Sequence, residues 1–394
     1  MVGIIADNIV SPLGFTTEEN WQSLLSGRSG LHRYSQGFHL PEAFCASLIA
    51  NEKIESYFSQ LSDNKEDRYT KVEQIAILSA ADAIHRSGID AASEDVLFVL
   101  STTKGNVELL QDLRGFEAER PYLWRSAQLI AQFFGNQNEP VVVSNACISG
   151  CAAQVVAQRL LETHRYRYAV VIGADVLSKF VISGFQSFKA LSPAECQPFD
   201  ADRCGLNLGE AAATVVLARC EDGEPKSDVC MLGGALCNDA NHISAPSRTA
   251  EGLVSAFTQA VSHLENTVLQ DVAFVNAHGT ATRYNDDMES VALARLGLAD
   301  VPVNSLKGYF GHTLGAAGVL ETIISSRELL QGTILPTRGF QTPGTVEKIA
   351  VCQKLSRSDK PCFVKLISGF GGSNAALLFA KNDEFFLRNI KSEK

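Results

Sequence analysis

Five short runs rich in Val, Ile, Leu and Phe punctuate the chain: Val96–Leu100, Val141–Val143, Ala169–Ile172, Val272–Val275 and Phe363–Ile367. They are apolar continuously rather than at alternate positions. A strand with one wet face alternates; a continuous run predicts a strand covered on both faces, as in a sheet sandwiched between helices. Between them, Val72–Ile84 and Gly252–Leu264 carry apolar residues at helical spacing. Strands alternating with helices predict a layered α/β protein. The pattern also occurs twice. Gly209–Ala218 (GEAAATVVLA) is similar to Gly371–Ala380 (GGSNAALLFA), each a small-residue turn feeding an apolar strand that closes its part of the chain. Val229–Leu236 restarts an apolar strand as Val2–Val10 opened one, after the polar, turn-rich Glu221–Ser227. A duplicated unit follows, with a first half over 1–220 and a second over 228–381. The 394 residues are enough for two fused units, and the polar stretch from Asn382 onward reads as a surface tail.

Composition removes several functional classes. A formal charge of −10 argues against nucleic acid as a partner, because neutralising phosphates needs a basic face. A local basic patch could still receive a small acidic protein. No run approaches the roughly 18–20 apolar residues that span a bilayer, so no membrane is expected. Met1–Ala6 has no basic n-region or cleavage signature and reads as a first strand. Ten cysteines are scattered without a CxxC pair; Cys220, Cys230 and Cys362 sit in apolar runs, where a thiol behaves as a small hydrophobe. A reducing cytoplasm is the expected setting.

Pro140–Ala157 (PVVVSNACISGCAAQVVA) reads as strand, tight turn, then helix, with Cys147 at the helix start. Unpaired N–H groups and the positive end of the helix dipole favour a thiolate there and could also hold an oxyanion. Cys151, one turn on, is assigned to packing. Two further strand ends deliver polar groups. One is Val275–Glu289, with His278 followed by a Gly/Thr turn; the other is Val303–Gly318, with Lys307 and His312 inside Gly-bounded turns. His32, His39, His85, His164 and His263 lie in less distinctive contexts. One cysteine with two such histidines fits the loss of CO2 from a malonyl thioester, which leaves an enolate oxygen that two imidazole N–H groups can hold. Lys307 would bias protonation and orient the imidazoles. Short ligand spacing is lacking, so no metal is expected.

Six segments, in order, resemble the β-ketoacyl-acyl-carrier-protein synthases, the elongating, synthase II-like condensing enzymes of the thiolase-fold superfamily. They are Ile9-Val-Ser-Pro-Leu-Gly14, Asn145-Ala-Cys-Ile-Ser-Gly150, the stretch from Pro198 to Glu210 (PFDADRCGLNLGE), His278-Gly-Thr-Ala-Thr282, the stretch from Lys307 to Gly318, and Gly369-Phe-Gly-Gly-Ser-Asn374. The resemblance spans almost the whole chain and implies the duplicated α-β-α-β-α sandwich. It implies that Cys147 accepts the acyl chain from an acyl carrier protein, and that His278 and His312 assist malonyl decarboxylation. Lys307 would support His312, with Glu321 in the same buried polar network. Thr280 and Thr282 would bind the phosphopantetheine arm, which arrives on the carrier, so no cofactor is expected. Phe370 would be the gating aromatic, its N–H joining that of Cys147 in the oxyanion hole, with Phe185 also at the substrate. Asp286 and Glu289 would order the loop after His278. The family is usually dimeric, so a homodimer, or a heterodimer with a related subunit, is expected.

The chain departs from the family pattern at four points. Ile148 follows the nucleophile where a small residue is usual, and would narrow the acyl pocket. Ser101-Thr-Thr-Lys104 occupies a segment that is normally Gly-rich and apolar, where a lysine buried in a lipid tunnel would be costly. Ser368 stands where Phe is common, and Ala211 replaces a Gly. Together they point to a specialised polyene, aryl or other secondary-metabolite chain. A thiolase would need a second catalytic cysteine late in the chain, and an initiating synthase an asparagine at position 312. The competing class is a non-catalytic, chain-length-factor-like partner subunit, which typically lacks the nucleophile. Lys65, Arg68, Lys71 and Lys189 are candidate contacts for the acidic carrier, against the reading that they are ordinary solvated charges.

Overall fold

The computed structural model describes the chain apart from residues 36, 39, 41–42, 62–67, 221–226, 242–244, 265 and 384–394. Its centre is one ten-stranded sheet. The first five strands are β1 (Val2–Val10), β2 (Val96–Ser101), β3 (Val141–Val143), β4 (Tyr168–Asp175) and β5 (Ala211–Arg219). The second five are β6 (Val229–Asn238), β7 (Val272–Asn276), β8 (Val303–Asn304), β9 (Cys362–Gly369) and β10 (Ser373–Lys381). Their spatial order is β8-β7-β9-β10-β6-β1-β5-β4-β2-β3.

Outward from the antiparallel β1–β6 contact, both directions repeat one plan. On one side lie β5, β4, β2 and β3; on the other lie β10, β9, β7 and β8. In each half the first two pairings are antiparallel and the last two parallel. The two similar segments in the sequence are β5 and β10, which occupy equivalent places. The duplication is therefore structural, while the linker expected over Glu221–Ser227 lies, save Ser227, outside the described residues.

Helices pack against both halves of this arrangement. The helix α1 (Lys71–Ser87) opens on a Thr70/Glu73 capping box and stops at Gly88, whose φ of +68° suits glycine. It covers β1, β4 and β5, while α2 (Glu251–Val261) covers β6 and β10 in the other half. Between the two halves run α3 (Ser149–Glu162) and α4 (Ala317–Gln331), which touch strands of both halves and each other. Their small residues explain the fit. A Cβ on Gly150 would stand 2.8 Å from the Val319 nitrogen, and one on Gly318 2.4 Å from the Cys151 nitrogen. Helix backbones thus touch at a distance that only glycine permits. That contact fixes the nucleophile's helix against the helix bearing Glu321.

Candidate active site

Strand β3 ends at Val143 and α3 begins at Ser149, so Cys147 sits in the turn just before the helix. The turn is made by Ala146 at φ +44°, a left-handed conformation that an alanine adopts only under constraint. Ser149 supplies part of that constraint: its Oγ accepts from the Asn145 N–H at 2.7 Å and donates to the Ala146 carbonyl at 2.6 Å. Burial pushes the Cys147 thiol up. Lys307, the Phe370 N–H, Lys104 and its own N–H pull the other way without prevailing. The helix-start preference for thiolate is outweighed here by desolvation.

His278 follows β7, and His312 follows the short helix Lys307–Phe310. The loop carrying His278 is held by α5 (Arg283–Arg295). Glu289 accepts from the N–H groups of His278 and Gly279, both at 2.7 Å, and Asp286 from that of Thr280 at 3.0 Å. Burial lifts these carboxyls to about 7 and about 6 respectively. The Cys147 sulfur and a nitrogen of each imidazole lie within 4.8 Å of one another, all three residues being buried. His312 Nδ1 accepts from the Leu314 N–H at 3.1 Å. The neutral ring therefore carries its proton on Nε2, which has no partner among the described residues. Burial, then Lys307, drives both imidazoles well below the ordinary histidine range; Lys365 adds to this, as does His312 for His278. The rings are neutral donors.

Beneath them lies a buried trio. Glu321 of α4 pairs with Lys307 through one oxygen and with Lys365 of β9 through the other, at 2.7 Å for the second. Two ammoniums against one carboxylate favour anions. They weigh against a cation at the thiol–imidazole cluster, although three soft donors converge there.

The cluster opens into a cavity of about 520 Å³ lined by Cys147, His278, His312, Thr280, Thr282, Phe185 and Phe370. Phe370 stacks on Phe185 at 5.8 Å and meets the exposed Phe188 edge-on at 5.5 Å. Lys189 and Arg283 stand exposed at the rim.

Several expected residues lie elsewhere. Ile148 is buried in the hydrophobic core beside Cys151 and lines no part of this cavity. Glu321 joins the buried network with Lys307 as expected, but it contacts lysines and does not line the cavity. Lys71 commits its ammonium to Glu210 at 2.7 Å and to the Ile49 carbonyl at 3.0 Å, so it is not a free docking charge. Arg68 is exposed but away from the rim, and Lys65 is outside the described residues. Lys104 is half-buried, its ammonium on the Thr103 carbonyl at 3.3 Å. The hydroxyls around it have a visible role. Thr102 and Thr103 donate to buried Asp175 at 2.8 and 2.9 Å, and Asp175 also accepts the Gly315 N–H at 2.7 Å. Ser368 donates to Asn374 at 2.7 Å and stabilises the turn after Phe370. Sequence reasoning missed Lys365, Arg283, Phe188 and Asp175. For Lys365 the signal was present, a lone charge inside the apolar run Phe363–Ile367.

Comparison with known proteins agrees with this fold. Residues 1–223 match the family described as "Beta-ketoacyl synthase, N-terminal domain" and residues 229–341 its C-terminal domain. The chain is a member of the β-ketoacyl synthase family, and so a condensing acyltransferase of thiolase-like fold. It is 27% identical to 3-oxoacyl-acyl-carrier-protein synthase 2 of Vibrio cholerae, over 95% of this chain and 97% of that one. It is 28% identical to the tetracenomycin polyketide synthase ketoacyl synthase alpha subunit of Streptomyces glaucescens, over 97% of each. Among solved structures, a β-ketoacyl synthase from Burkholderia phymatum superposes with a TM-score of 0.85 at 24% identity, covering 97% of this chain and 99% of that one. The ishigamide ketosynthase/chain length factor gives 0.84 at 25%, with the same coverage.

Proposed function

We propose that this chain condenses an acyl-Cys147 thioester with malonyl-acyl carrier protein, releasing CO2 and yielding β-ketoacyl-acyl carrier protein. The observation that carries the proposal is the convergence of Cys147 with two neutral imidazoles in one buried cluster. Cys147 attacks the incoming acyl thioester, and its own N–H with that of Phe370 holds the tetrahedral oxyanion until the carrier thiol departs. Malonyl carrier then enters past Thr280 and Thr282, whose hydroxyls would hydrogen-bond its phosphopantetheine arm. Cleavage of the carboxyl bond leaves two electrons as an enolate, its oxygen held by His278 and His312. The enolate carbon attacks acyl-Cys147 and the thiolate leaves. Half 1–220 brings the nucleophile and half 228–381 the histidines.

The scheme needs no resident metal or organic cofactor. Retention of Cys147 weighs against a non-catalytic partner subunit. Relatives include both fatty-acid-type and polyketide synthases, so either chain type fits the reaction, and the departures at Ser101–Lys104 and Ser368 favour a specialised one. The unpaired outer edge of β3, Val141–Val143, suits a two-fold sheet contact with a second copy or a related subunit. No described helix is long and apolar enough to cross a membrane, and a cytoplasmic setting fits the free thiols. The deciding experiment is mass spectrometry of the acyl group trapped on Cys147 in the His278→Ala variant. A chain that never gains an acyl mass from any acyl carrier would sink the reading.

A further inference from the structure

Lys365 lies in the middle of β9, opposite Asn276 of β7 on one side and Leu377 of β10 on the other, and is fully buried. A buried ammonium is tolerable only when its N–H groups are satisfied. Here three acceptors meet it: Glu321 Oε2 at 2.7 Å, the Leu366 carbonyl at 2.9 Å and the Asn276 carbonyl at 3.4 Å. The other oxygen of Glu321 takes Lys307. All three side chains are at most 3% exposed, so little solvent screens them. A Lys307–Glu321 pair alone would be neutral. With Lys365 the group holds one net positive charge.

We infer that Lys365 is a positioning residue for the condensation: by sharing Glu321 it leaves Lys307 only partly compensated toward Cys147, His278 and His312. The inference rests on the condensation reading above. The surplus charge disfavours protonated imidazole, keeping both rings as neutral donors, and favours the two anions of the cycle, thiolate and enolate. Lys365 also ties the end of β7 to α4, two residues before His278, through the Asn276 carbonyl. Other titratable groups face the rings as well. Cys147 does so from the turn before α3, and Asp286 and Glu289 do so from α5 through the backbone N–H groups of the His278 loop. Glu328 of α4 is linked to β7 through Asn304 and Asn276. None of these supplies a second cation beside Glu321.

The test compares Lys365→Met with the double variant Glu321→Gln/Lys365→Met. The first makes the trio neutral; the second restores one net positive charge through Lys307. In malonyl-carrier decarboxylation, Lys365→Met should move the acid limb of the rate profile up by at least about half a pH unit, and the double variant should move it back. An acid limb unmoved in a folded Lys365→Met protein overturns the inference. Histidine-selective nitrogen NMR reads the rings directly: both should titrate at a higher pH in Lys365→Met than in the unaltered protein, which sets the starting point. There, at a pH of about 6, both rings should be neutral, with His312 protonated on Nε2. A ring that titrates near its ordinary value overturns the inference. Loss of the condensation reading would instead appear as an unaltered protein that cannot decarboxylate malonyl carrier, while the difference in ring titration between that protein and Lys365→Met would still decide for or against Lys365.

Discussion

The ring of His312 meets that of His278 edge to face, with centroids 4.9 Å apart and planes at 86°. Two donors at this angle can converge on one oxygen without stacking against each other. Replacing either with Ala should lower malonyl-carrier decarboxylation by about a hundred- to a thousand-fold, the usual cost of one oxyanion donor. Acyl transfer to Cys147 should persist, because its oxyanion donors are backbone N–H groups. Protein mass spectrometry separates the two half-reactions. If both variants lose acylation and decarboxylation in equal measure, the division of labour is wrong.

Much of this was legible because burial on both faces leaves a mark in sequence. The strands β2, β3, β4, β7 and β9 each contain an expected run, and β5 and β10 proved equivalent because their residues are alike. Turn residues likewise marked Cys147, His278 and His312. Pairings across long separations were not legible. Nothing near Lys71 announces Glu210, 139 positions away, so a committed ion pair looked like a free surface charge. Ile148 follows the nucleophile in sequence, yet as the residue capping α3 it turns into the core. Lys365 stood out as one charge inside an apolar run, but nothing near it in sequence named Glu321 as its partner.

Glu328 of α4 is buried, accepting from the Leu335 N–H at 2.6 Å and from Asn304 at 2.7 Å, and burial lifts its carboxyl to about 8 from an ordinary 4.5. A carboxyl raised on folding contributes stability that is complete below the unfolded value and is lost as pH rises through the folded one. The window therefore runs from about 4.5 to about 8. Glu328→Gln mimics the protonated acid and should flatten that loss. Between about pH 5 and pH 9 the wild-type Tm should fall by at least about 2 °C more than that of the variant. Paired thermal melts in one buffer series check this, since every other titrating group is common to both proteins. Parallel curves would mean that Glu328 titrates in its ordinary range.

Lys189 and Arg283 are the exposed cations lining the cavity rim among the described residues. If an acidic carrier seats there, Lys189→Glu and Arg283→Glu should each raise KM for carrier-borne malonyl several-fold at low salt, and the gap should narrow as salt screens the contact. Turnover of a small thioester lacking the carrier should be unchanged. An equal loss with both substrates would place these residues in the site rather than at the dock. Lys71→Glu, by contrast, should act through stability, because it sets two carboxylates against each other at Glu210.

The Gly150–Gly318 contact makes a sharper demand than any charge. A methyl group at Gly318 would sit 2.4 Å from the Cys151 nitrogen and 2.9 Å from its sulfur, and neither neighbour is a flexible chain end. Gly318→Ala must therefore push α4 away from α3. Overpacking of this kind costs about 1–3 kcal/mol. The displacement carries Glu321 with α4 while Cys147 stays with α3, so activity should fall by more than the folded fraction explains. Urea unfolding together with active-site titration of Cys147 by iodoacetamide distinguishes the two losses. A variant that is destabilised yet fully active per folded molecule would show that the Glu321 network tolerates a shift of its helix. The electrostatic coupling argued for Lys307 and Lys365 would then have to be weaker than their burial implies.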